Sequence, residues 1–276
     1  MKSILVPIDF SETSDNALLY AVNLAKYLSA NLILFHVTTT PVFTNENDVL
    51  AYSMHDSMES SKEVLIDKAK QLKLENVFEG NVQTVVEAGD FESSFYDCLA
   101  SYPIDLVVMG ITEHSSKIGQ FVFGSNAVTI SKESNVPVFI IPRVCTYKKI
   151  NNIAYASEYD VHVAEQSGLI QIKYIVSLFD ANLSVLHVIP DNHMLNEIEA
   201  MTDLYIEQKL ENTNHKTFIL SEKKVSVALT DFINHHDVDI IVLEQKKHSF
   251  MHDLIYPSVT KEVAFSSTIP ILTIHS

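Results

Sequence analysis

The strongest constraint on the fold is an internal echo. Ala30-Asn31-Leu32-Ile33-Leu34-Phe35-His36-Val37 returns 151 residues later as Ala181-Asn182-Leu183-Ser184-Val185-Leu186-His187-Val188. Ile104-Asp105-Leu106-Val107-Val108 returns as Val238-Asp239-Ile240-Ile241-Val242 at an offset of 134, and Val136-Pro137-Val138 as Ile269-Pro270-Ile271 at 133. Three echoes in the same order point to a duplicated unit. The falling offset places the loss in the second copy, mostly between Val188 and Lys216, where its second helix is expected to be briefer. The expected domains are 1–145 and 146–276, meeting near Pro142–Lys149 with no Gly/Ser-rich linker.

Within each copy, short apolar runs alternate with helical patterns. Ser3–Ile8, Leu32–Val37, Val82–Val86, Leu106–Met109 and Val138–Ile141 read as strands, several apolar enough to be covered on both faces. Between them, Ser11–Ser14 can start a helix whose buried face is Ala17, Leu18, Ala21, Val22, Leu24, Ala25 and Leu28. Asn47-Asp48 can cap a long second helix reaching Leu72, with Leu50, Met54, Met58, Val64, Leu65, Ala69 and Leu72 as its apolar marks. Phe91–Ser101 and Ser125–Glu133 read as the third and fourth helices. This β-α-β-α alternation requires a parallel sheet with helices on both faces.

At 276 residues with 47% apolar content, the chain has material for two domains and a substantial core. Its formal charge of −16 leaves no basic excess for a nucleic-acid backbone and disfavours an anionic membrane surface. The opening run, Ile4-Leu5-Val6-Pro7-Ile8, is too short for a signal-peptide core, and no apolar stretch can span a bilayer. Two cysteines, Cys98 and Cys145, make no disulfide framework. A reducing cytoplasm is the expected setting.

The stretch with the clearest chemical use is Asp105–Pro142. A strand ends on Gly110, a polar loop follows to Phe123, and Gly124-Ser125-Asn126 stands where a helix can begin. Glycines allow close backbone approach, and a helix start offers N–H groups to an anion such as phosphate. Asp9, at the carboxyl end of the first strand, can meet a ribose hydroxyl or cap the following turn. His36 and His187 read as structural histidines. His248 and His252 are four apart, a metal spacing only if helical, in a segment that reads as solvated loop. Cys98 is expected packed and Cys145 exposed, with no neighbour that would make either reactive.

Ile4-Leu5-Val6-Pro7-Ile8-Asp9-Phe10-Ser11-Glu12, Leu34-Phe35-His36-Val37, Asp105–Gly110, Gly124-Ser125-Asn126 and Val136-Pro137-Val138 together resemble the universal stress protein family, and the resemblance spans both halves. It implies two tandem five-stranded, Rossmann-like α/β domains of the adenine nucleotide alpha hydrolase type, associating as an intramolecular pseudo-dimer through Val138–Ile141 and Ile271–Ile274. One branch of the family binds ATP through a Gly-x2-Gly-x9-Gly-Ser/Thr loop. By that resemblance Asp9 lies on the ribose side and Val37 on the adenine side, while Gly110, Gly124, Ser125 and Asn126 face the phosphates with Lys117 as a cationic partner. Here Glu113 occupies the second glycine's place, and the outer interval is one residue longer. In the second half Glu244 stands at the position of Gly110 and Tyr256-Pro257-Ser258 at that of Gly-Ser. Glu158 lies near the position of Asp9. The second half is therefore expected not to hold ATP in the family's manner.

The expected function is a stress-response regulator binding ATP or a related adenine nucleotide, with or without Mg²⁺, in its first half, and without a dedicated catalytic apparatus. Two alternatives stand beside it. One is a weak ATP hydrolase using Asp9 and Glu113; the other is a nucleotide-free scaffold acting through dimer surfaces.

Overall fold

A computed structural model describes residues 1–38, 49–74, 77–111, 113–115, 121–123, 125–156, 167–189, 204–222, 224–245 and 256–275. In the first half the order is β1 (Ser3–Pro7), α1 (Glu12–Leu28), β2 (Asn31–Thr38), α2 (Val49–Leu74), β3 (Val82–Ala88), α3 (Phe91–Ser101), β4 (Leu106–Ile111), β5 (Glu113–Ser115), β6 (Phe121–Phe123), α4 (Ser125–Glu133) and β7 (Val138–Pro142). The second half runs β8 (Asn152–Ala156), α5 (Ser167–Phe179), β9 (Asn182–Ile189), a helix described over 204–209 (α6), β10 (His215–Ser221), α7 (Val225–His235), β11 (Ile240–Gln245), α8 (Tyr256–Ser266) and β12 (Ile271–His275).

Ten strands form one sheet in the order β10-β9-β8-β11-β12-β7-β4-β1-β2-β3. All neighbours are parallel except β7 and β12, which run antiparallel with Leu272 opposite Phe139 and Thr273 opposite Val138. Each half thus has the same strand order, and the expected seam through the last strands is the observed one. β1, β4 and β7 are wholly or nearly wholly buried, which explains their continuous apolar runs. Alternation sorts the side chains onto two faces: α1, α2, α5 and α6 cover one, and α3, α4, α7 and α8 cover the other.

The echoes have local causes. Asp105 Oδ2 accepts from the amides of Lys2 (2.6 Å) and Ser3 (3.1 Å), clamping the start of β1 to that of β4. Asp239 Oδ2 does the same for Asn151 (2.8 Å) and Asn152 (2.9 Å) at β8 and β11. Ser134 and Ser267 each bond the residue two ahead, donating to the carbonyls of Val136 and Ile269 and accepting from their amides, just before β7 and β12. Asp105→Ala and Asp239→Ala are each expected to cost about 1 kcal/mol. With no shared partner, their effects should add in urea unfolding of the double variant.

The α1 boundaries follow capping chemistry. The Ser11 side chain accepts from the Ser14 amide (3.2 Å), Glu12 and Asp15 sit in the first turn, and Ser29 closes the helix in the left-handed region. In α2, Leu65 and Leu72 face the core as expected, but Val64 is turned to solvent. Asn47 and Asp48 lie outside the described residues.

Cys145 is buried, contrary to the expected exposure. Asn16 Nδ2 on α1 donates to the carbonyls of Cys145 (2.9 Å) and Pro142 (3.2 Å), drawing the inter-half segment down against the helix. Burial pushes both thiols up to about 11; the Glu87 charge adds to this at Cys98, and Lys148 only partly offsets it at Cys145. Neither thiol should react with iodoacetamide at pH 8 in the native protein, and both should react after unfolding in guanidinium. This is checked by intact-mass spectrometry.

Candidate functional site

Where β4, β1 and β2 lie side by side, their carboxyl ends bring together Asp9, Val37 and Gly110. Pro7 pairs with Phe35, and the Ile8 amide donates to the Phe35 carbonyl at 2.7 Å, so Asp9, just past β1, comes to the level of Val37 near the end of β2. Leu5 pairs with Val107, which brings Gly110 to the level of Ile8. This is the crevice where parallel α/β sheets present ligands.

Asp9 is exposed and organised by one neighbour. Its Oδ1 accepts from the Ser11 amide (3.0 Å) and the Ser11 hydroxyl (2.6 Å). Partial desolvation opposes its charge, but the Ser11 hydroxyl and amide, with Ser14, outweigh it and hold the carboxyl below its ordinary value. Because the folded value is the lower one, this contribution to stability is present at neutral pH and lost in acid as the pH falls through it. An ionised carboxylate here repels phosphate and suits hydroxyl donors such as those of a ribose. Ser11, read from the sequence only as a helix start, both caps α1 and fixes Asp9. Its place two residues after Asp9 is the signal of an Asx-type turn.

Gly110 is explained by close packing rather than by backbone angle. A Cβ there would stand 2.6 Å from Thr13 Cγ2 and 2.7 Å from the Thr13 carbonyl oxygen. The glycine lets α1 press against β4 beside Asp9. Thr13 is the partner that no sequence pattern singled out.

The loop after Gly110 differs from the expected irregular run. β5 and β6 form an antiparallel hairpin with Glu113 opposite Phe123, His114 opposite Val122 and Ser115 opposite Phe121. The residue at the missing glycine's position therefore lies in an extended strand, a backbone conformation that does not require glycine. Ser125 and Asn126 open α4, which starts on the carboxyl side of the sheet, and the Asn126 side chain is exposed. Lys117 and Gly124 lie outside the described residues, as do Glu158, His248 and His252.

In the second half the equivalent position is filled from within. Gly110 pairs with Ile141 in the first half, and Glu244 pairs with Ile274 in the second, so the registers agree. The Glu244 carboxylate is buried, accepts a hydrogen bond from Tyr155, and lies where a Cβ on Gly168 of α5 would be. The first half has glycine on the strand and threonine on the helix; the second has glutamate on the strand and glycine on the helix. α8 begins directly at Tyr256 with Pro257, which has no N–H to offer an anion. Among the described residues no group of His, Cys, Asp and Glu could hold a metal ion.

A five-stranded parallel α/β unit, joined to a second through antiparallel edge strands and carrying an acid after β1, defines a Rossmann-like α/β class. Residues 1–142 match the model of the universal stress protein family, and the chain belongs to that family. Similar solved structures include a universal stress protein from Archaeoglobus fulgidus DSM 4304, with a TM-score of 0.72 at 18% identity over 99% of this chain and 98% of that one. A functionally unknown protein from Pseudomonas aeruginosa PAO1 has a TM-score of 0.63 at 14% identity, over 100% and 92%. The cytoplasmic domain of a prokaryotic cation chloride cotransporter has a TM-score of 0.51 at 10% identity, over 99% and 94%. These likenesses establish the shared fold and no more, since one fold carries unlike functions. No curated protein matches.

Proposed function

We propose that this stress-response protein binds ATP or a related adenine nucleotide in its first half, at the carboxyl ends of β2, β1 and β4, and acts as a ligand-dependent regulator rather than a catalyst. The observation that carries this reading is Asp9: an exposed, ionised carboxylate held on one oxygen by Ser11 at the crevice of a parallel sheet. Asp9 fits a ribose hydroxyl, Val37 the base side, and the N-terminus of α4 the phosphates, which would bring any Mg²⁺ with them. Glu244 fills the second half's equivalent position, so one nucleotide per chain is expected. We place the protein in the cytoplasm, with the seam between β7 and β12 serving as an internal dimer contact. No helix among the described residues is long and apolar enough to cross a membrane.

The β5–β6 hairpin favours a second reading, a nucleotide-free scaffold, because it puts paired backbone where a glycine loop would stand. Denaturing the purified protein and identifying any released small molecule by mass spectrometry separates the two. Adenine nucleotide in the supernatant is the expected result; a different small molecule would contradict the proposal. Added ATP recovered intact after long incubation is expected of a regulator, whereas ADP formation abolished by Asp9→Asn would make the protein a hydrolase.

A further inference from the structure

Phe10 is the feature the proposed site has not used. Its backbone is left-handed, with φ at 63°, a region that large L side chains avoid. Phe10, a large apolar residue, is left 37% exposed at the carboxyl edge of the sheet, directly after Asp9. The ring lies against His36, with centroids 4.5 Å apart and planes inclined at 40°.

His36 is itself held in place. Its Nδ1 lies 2.7 Å from the carbonyl oxygen of Ile8. A carbonyl can only accept, so Nδ1 carries the proton, which fixes the ring against β1 and leaves Nε2 as an acceptor in the neutral imidazole. Strand position alone does not account for this arrangement. His187, the equivalent residue of β9, is fully buried, whereas His36 remains partly open beneath Phe10. Two rings, one set by a left-handed turn and one locked by a backbone hydrogen bond, thus lie at the crevice beside Asp9 and next to Val37.

We infer that Phe10 and His36 form an aromatic platform that receives the planar base of the bound ligand while Asp9 takes its sugar. This rests on the reading of the first half as a nucleotide site and adds the residues that select for a heteroaromatic ring. The platform explains why the chain keeps Phe10 in an unfavourable backbone region: the turn faces its ring outward, to a partner outside the protein core. Rings already fixed before binding lose little freedom when a base stacks on them. Each base–aromatic stack is a substantial, sequence-tolerant contribution to binding.

The test compares three probes, ATP, adenosine and tripolyphosphate, by calorimetric titration against wild type, Phe10→Leu, Phe10→Gly and Phe10→Tyr. Phe10→Leu is expected to weaken ATP and adenosine about tenfold and leave tripolyphosphate unchanged, and Phe10→Tyr to retain wild-type affinity. Phe10→Gly removes the ring while relieving the left-handed backbone, so it should fold at least as well as wild type and still lose base affinity. ATP bound equally by wild type, Phe10→Leu and Phe10→Gly would overturn the platform and leave the nucleotide site standing. Wild type that binds neither ATP nor adenosine would overturn the nucleotide reading, and the platform with it. A loss for tripolyphosphate as large as that for adenosine would show that Phe10 shapes the turn rather than receives a base, and would also overturn the platform.

Discussion

Gly110→Val is expected to destabilise the protein by about 3 kcal/mol, the upper part of the usual range for overpacking a buried position. The first added carbon would meet Thr13 Cγ2 at 2.6 Å and the Thr13 carbonyl oxygen at 2.7 Å. A side chain could yield to the first contact, but the second is backbone in the opening turn of α1. The variant must therefore push the helix off β4 or shift the strand. In a chain of this size the loss should appear as a fall of roughly 6–12 °C in the thermal midpoint. Thr13→Ser, which deletes Cγ2, should recover part of the loss in Gly110→Ala and little of it in Gly110→Val. If Gly110 served only to admit a ligand, its replacement would abolish binding and leave the melting temperature of the free protein unchanged.

The second large effect is expected at the seam between the halves. Phe139 is fully buried on β7, stands opposite Leu272 of β12, and has the Tyr20 ring of α1 at 6.0 Å. Phe139→Ala should cost about 3–5 kcal/mol, combining lost burial with the cavity left in a tightly packed centre. Because β7 and β12 join ten strands into one sheet, the loss should be felt by both halves. Tyr27 adds to this coupling, stacking on Phe179 at 5.7 Å and donating to its carbonyl at 3.2 Å. Urea unfolding of Phe139→Ala, followed by tyrosine fluorescence and by hydrogen exchange in β2 and β9, should show matching loss of protection in both strands. Loss confined to the first half would mean that the halves are stable independently.

Much of this architecture was legible because its signals are local or repeated. Continuous apolar runs marked β1, β4 and β7 because those strands are covered on both faces. The echo around Asp105 and Asp239 survives because the same carboxylate clamps the same pair of strand starts in each half. The antiparallel seam followed from the family resemblance and not from any local pattern. What remained hidden depends on which distant residues the fold brings together. β5 and β6 are three residues each, too short for a strand period to stand out. Cys145 is buried because Asn16, more than a hundred residues earlier, holds its carbonyl. Gly110 reads from the sequence as a ligand-facing glycine, and only the fold sets Thr13 against it and Glu244 against Gly168. Asp9 was visible as an acid at a strand end, but the Phe10–His36 contact required both the left-handed turn and the register of β2.

The central claim, one adenine-nucleotide site per chain in the first half, is most directly tested by calorimetric titration of ATP with wild type, Asp9→Asn and Glu244→Gln. The account predicts a stoichiometry of one nucleotide per wild-type chain, binding weakened at least about tenfold in Asp9→Asn as a charge-assisted hydrogen bond is lost, and an unchanged stoichiometry in Glu244→Gln. Absence of heat and of binding in wild type at millimolar ATP would contradict it, as would two nucleotides per chain.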